Sequence, residues 1–66
     1  MFKEVNNKII NFNLVTKIEK LYNENIQAYR IRIFMINEKC EEIYFNSEED
    51  AEKYVSDLLT ELNQSY

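Results

Sequence analysis

Ser47-Glu48-Glu49-Asp50-Ala51-Glu52-Lys53-Tyr54-Val55-Ser56-Asp57-Leu58-Leu59-Thr60-Glu61-Leu62-Asn63 is the stretch on which the fold turns. Its apolar residues Ala51, Tyr54, Val55, Leu58, Leu59 and Leu62 keep the i, i+3, i+4, i+7, i+8 spacing of one stripe along an α-helix. Ser47 stands where an N-cap belongs, and Asp50 completes an S-x-x-D capping-box pattern. Glu48, Glu49 and Asp50 put negative charge in the first turn, where the helix dipole favours it by ~0.3–1 kcal/mol each when exposed. The spacing predicts a helix over about residues 47–63.

Upstream the period falls to two. Tyr29, Ile31, Ile33 and Met35 alternate with Arg30, Arg32, Phe34 and Ile36, and β-branched and aromatic side chains dominate. This predicts a strand over about 28–36, a second over 40–45 after the polar break Asn37-Glu38-Lys39, and a third over 15–22. A shorter fourth strand is expected over 8–12, with no helix anywhere in residues 8–36 and a bend or bulge at Asn13-Leu14. In a chain without glycine, Asn37 is expected to take the left-handed turn position, and Tyr22-Asn23-Glu24-Asn25 to form a second Asn-based turn.

The expected fold class is therefore α+β: an antiparallel meander of three to four strands packed on one C-terminal α-helix, in a single domain spanning 1–66. One helix covers one face of a sheet. The helix is expected to meet Ile31, Ile33, Ile43 and Phe45, with Ile10, Val15 or Ile18 from the earlier strands. The opposite face then carries Arg30, Arg32, Phe34, Ile36 and Tyr44, with Tyr22 beside them. So many large apolar groups on a solvent face mark it as a contact surface.

The composition excludes much chemistry. The 66 residues include no Gly, Pro, His or Trp and a single Cys. Cys/His zinc sites, disulfide frameworks, glycine-rich phosphate loops and His-based triads all need residues that are missing. Glu41 and Glu42 are neighbours on a strand and point to opposite faces, so they cannot work as an acid–base pair. Cys40 lacks an activating histidine, Tyr54 reads as core, and Tyr66 as an end group. No catalytic residue, cofactor or metal is expected, and the chain is read as not an enzyme. With no apolar run near ~18–20 residues and no signal-peptide pattern, it is expected to be cytoplasmic, without membrane contact.

The formal net charge of −4 hides a split. Residues 1–37 carry six basic and three acidic groups; residues 38–66 carry two and nine. An acidic total argues against nucleic acid as the general partner. Lys53 is the sole cation of the C-terminal helix, so Glu48, Glu49, Glu52, Asp57 and Glu61 form a candidate surface for a protein partner with a basic face. Arg30, Arg32, Phe34, Ile36 and Tyr44 form a candidate homodimer face. The alternative for that face is a small anionic ligand such as a nucleotide, or single-stranded nucleic acid, held by Arg and aromatic side chains.

Two segments carry a family resemblance. Lys8-Ile9-Ile10-Asn11-Phe12-Asn13-Leu14-Val15-Thr16-Lys17-Ile18 resembles the opening of small uncharacterised bacterial and phage proteins. Ile43-Tyr44-Phe45-Asn46-Ser47-Glu48-Glu49-Asp50-Ala51 is similar to their strand-to-helix junction. The resemblance implies a sheet-plus-helix fold and assigns no activity. By size and acidity the chain also resembles phage inhibitors of host defence, including anti-CRISPR proteins, which implies a non-catalytic inhibitor acting by occlusion.

Overall fold

The alternating segments pair as the period implies. In the computed structural model, which describes residues 1–63, β3 (Val15–Asn23), β4 (Ala28–Met35) and β5 (Cys40–Phe45) form an antiparallel meander in the order β3-β4-β5. The helix α1 (Glu48–Asn63) follows directly. Its N-terminus is capped as the sequence suggests, the Ser47 hydroxyl accepting from the Asp50 amide at 3.1 Å. The fold class is α+β, with one C-terminal helix on antiparallel sheet.

The N-terminal segment departs from expectation. The strand expected over 8–12 does not extend the meander; β2 (Lys8–Asn11) pairs with an unforeseen strand, β1 (Phe2–Val5), in a separate two-stranded hairpin. Asn6 and Asn7 close it with φ of 52° and 64°. Two consecutive left-handed residues make the tight turn whose twist suits a hairpin, and Asn adopts that region more readily than most residues. The bend expected at Asn13-Leu14 is one turn of 3-10 helix, Phe12–Leu14, capped by the Asn11 side chain accepting from the Asn13 amide at 3.0 Å. It is a helix, though a single turn, within a region expected to hold none. The bulge lies just beyond it, between Val15 and Lys17.

Both longer turns use asparagine, in a different role from the expected one. Asn37 does not take the left-handed position; Glu38 does, with φ of 68°. The Asn37 side chain instead accepts from the Lys39 amide at 3.2 Å, an Asx turn that leaves its own backbone unstrained. Asn23 does the same for Asn25 at 3.1 Å, and Gln27 carries the positive φ, 50°.

Register fixes the faces. Ile31 stands between Lys20 and Ile43, and Ile33 between Ile18 and Glu41. Ile31, Ile33 and Ala51 have no exposed surface, and Leu58 is 1% exposed. Val5, Ile10, Phe12 and Val55 complete the core. Burying one such side chain is worth roughly 1.5–3 kcal/mol, so helix, sheet and hairpin share one apolar centre. The hairpin's inner side supplies Val5 and Ile10 to it, and the N-terminal strand pair is thus a second cover on the sheet face that α1 occupies.

Candidate functional site

Charge on α1 divides into flanks. Glu52 reaches Lys20 of β3 at 3.3 Å, and Glu61 reaches Lys3 of β1 at 2.8 Å. The acids therefore do not form one continuous surface, as the stripe alone suggests. Two of the five candidate acids are tied to strands on either side of the helix. Glu48, Glu49 and Asp57, with Asp50, are exposed and make no ion pair among the described residues.

The Glu52 flank encloses Tyr22. Tyr22 does not lie on the open sheet face; it pairs with Tyr29 on the helix side, the rings 6.1 Å apart and edge-on. Its hydroxyl is enclosed beside Glu52 without a well-formed hydrogen bond among the described residues. Burial, reinforced by the Glu52 carboxylate, pushes this phenol up to about 12. On the other flank Tyr54 packs against Phe45 at 5.4 Å, and burial raises its phenol as well. Tyr66 lies outside the described residues.

The open face of the meander is built in rows: Leu21–Arg30–Tyr44, Glu19–Arg32–Glu42 and Lys17–Phe34–Cys40. Arg30, Arg32, Phe34 and Tyr44 do come together there. Ile36 does not, since β4 ends at Met35 and Ile36 belongs to the following turn, its amide donating to the Leu14 carbonyl at 2.9 Å. The arginines are not free cations. Glu42 stands 3.2 Å from Arg30 and 3.6 Å from Arg32, and Lys17 lies 4.3 Å over the Phe34 ring while pairing with Glu19 at 3.7 Å. Glu41, on the other side of β5, pairs with Lys8 at 2.6 Å, so the two adjacent glutamates do serve opposite faces.

This network has a consequence for binding. Among the described residues six of the eight cations are held in ion pairs within the chain, leaving Lys39 and Lys53. A face meant for phosphate needs cations with unsatisfied hydrogen-bonding capacity; here Glu42 stands against both guanidinium groups, and the Arg32 Nε is left without a hydrogen-bond partner among the described residues.

Sequence reasoning missed a third surface. Phe2, Ile9 and Leu14 are 69%, 73% and 47% exposed and line one cleft with Met35. The pairing across Asn6-Asn7 places Phe2 and Ile9 on one side of the hairpin and Val5 and Ile10 on the other, an alternation of four residues on each strand that is too short to stand out in the sequence. Cys40 is exposed at the edge of this cleft. No group of three or more acidic or cysteine side chains placed to hold a metal occurs among the described residues, and no helix there is long and apolar enough to cross a membrane. The chain matches no protein-family model, no curated protein and no solved structure.

Proposed function

We propose that this chain is a non-catalytic binding protein that docks the outward side of α1 on a basic surface of a protein partner and occludes it. The observation that carries the reading is the distribution of unpaired charge. Seven acids make no ion pair among the described residues, and four of them, Glu48, Glu49, Asp50 and Asp57, are on α1. Attraction of this kind steers a partner and sets its orientation, and it weakens as salt screens it. A groove that binds nucleic acid is the basic surface such a helix suits best. The resemblance in size and acidity to phage inhibitors of host defence gives the same reading a biological setting, in which the groove belongs to a defence complex.

The anionic-ligand alternative on the Arg30/Arg32 face is weaker, because Glu42 pairs with both guanidinium groups and leaves one positive charge between them, and Lys17 beside them is paired with Glu19. One experiment separates the two. The immobilised protein, challenged with cell extract, retains proteins of high isoelectric point that elute as salt is raised, while nucleotides leave its melting temperature unchanged. A thermal shift with nucleotides, and no salt-sensitive retention, transfers the function to the sheet face.

A further inference from the structure

The hairpin has an outer side that the core does not use. Phe2, Glu4, Ile9 and Asn11 share it, across the two strands from the inward-facing Lys3, Val5, Lys8 and Ile10. Because Lys3 reaches back to Glu61 on α1, this outer side turns away from the helix. Phe2 and Ile9 are more than two-thirds exposed, and Leu14 joins them in a cleft of about 580 Å³ that runs to Met35 and Lys39. Ile36, 69% exposed, is joined to Leu14 through its backbone amide.

We propose that two copies of this chain pair through this end of the molecule, hairpin outer side against hairpin outer side, about a two-fold axis. Area is the first argument. Four large side chains at these exposures present roughly 500 Å² of apolar surface, near the upper end for an ordinary monomer and high for so small a chain. Two such patches in full contact remove up to about 1,000 Å² from water, and their rims carry the total to the lower end of the ~1,200–2,000 Å² of a specific interface.

Charge is the second argument. A two-fold interface must be complementary to itself. Apart from the Lys8–Glu41 pair in the cleft lining, this patch has one cation beside it, Lys39, and one anion, Glu4, which stands across the ladder from Ile9. Neither makes an ion pair among the described residues. Pairing of two copies offers Lys39 of each the Glu4 of the other. Size supplies a third argument, since a core this small gives only ~3–5 kcal/mol unaided and gains by mass action from association. The dimer leaves both helices outward, so it would present two copies of the acidic surface; the pairing itself does not depend on what that surface binds.

Sedimentation equilibrium across the low micromolar range tests this. The wild-type chain sediments as a dimer. Ile9→Asp, at a position too exposed to affect folding much, keeps the wild-type circular dichroism and weakens association on the order of 30-fold or more, as loss of a central apolar anchor does. Glu4→Lys also weakens it, and Glu4→Lys combined with Lys39→Glu restores it. A wild-type monomer overturns the proposal. So does a folded Ile9→Asp chain that remains dimeric while Tyr44→Asp dissociates, which assigns pairing to the open sheet face. A double charge variant no tighter than Glu4→Lys alone overturns the two-fold arrangement.

Discussion

Lys3 and Glu61 are 58 positions apart in sequence and 2.8 Å apart in space, and their ion pair fastens the N-terminal hairpin to the last turns of the helix. The Glu61 hydrogen bond raises the Lys3 pKa above 10.5, against partial desolvation that lowers it. A lysine raised in the folded state stabilises fully below its unfolded value and loses that contribution as pH climbs past the raised one. Lys3→Ala is therefore expected to cost about 0.5–1 kcal/mol at neutral pH, the upper range for a partly exposed pair. Urea unfolding at neutral and strongly alkaline pH checks this. The cost should fade only above 10.5; a cost that is the same at both pH values would assign it to packing of the lysine stem.

Tyr22 gives a second pH signature. Its phenol ionises near 10 in the unfolded chain and about 12 in the fold, so its contribution is intact below 10 and lost as pH rises towards 12. Phenolate absorbance should show late-titrating tyrosines in the wild type, and Tyr22→Phe should remove one of them while leaving the raised Tyr54 phenol. Because the enclosed hydroxyl makes no well-formed hydrogen bond among the described residues, that substitution should not destabilise the chain at neutral pH and should stabilise it by up to about 1 kcal/mol. A titration in which Tyr22→Phe leaves the late-titrating tyrosines unchanged would contradict the enclosure of this hydroxyl.

Glu38 holds a left-handed backbone with a side chain that disfavours it. The strain is ~1–2 kcal/mol, and glycine relieves it at an entropic cost of ~0.5–1 kcal/mol. Glu38→Gly should stabilise the chain by about 0.5–1 kcal/mol, measured as a melting temperature a few degrees higher. A lowered melting temperature would show that the glutamate side chain does more for this turn than its backbone angle costs.

The helix was legible because its cap, first-turn charge and apolar stripe all agree, from Ser47 through Leu62. The meander was legible from alternation alone. β1 was not, because Phe2–Val5 is too short to display a period and its turn, Asn6-Asn7, lacks the glycine that usually marks one. The bulge after Val15 explains the misplacement of Tyr22. Strict alternation from an inward Val15 sends Tyr22 outward; the extra residue reverses the parity, and Ile18, Lys20 and Tyr22 turn to the helix. Of the candidate surfaces, the residue types were readable and their pairing was not. That Glu42 pairs with both Arg30 and Arg32 follows only from the register of β4 on β5.

The outward acids of α1 are the binding surface on which the proposed function depends most. Its most direct test compares partner retention by the wild-type chain, by Glu49→Lys with Asp57→Lys, and by Arg30→Glu with Arg32→Glu, each across a salt series and each checked for folding by circular dichroism. The acidic positions are exposed and unpaired among the described residues, so their reversal should leave the fold intact, apart from the dipole cost at Glu49. Retention should be lost with the acidic pair, and its salt dependence with it, while the arginine pair keeps both. Retention that survives reversal of Glu49 and Asp57 but disappears with Arg30 and Arg32 would contradict the account and move the binding surface to the open face of the sheet.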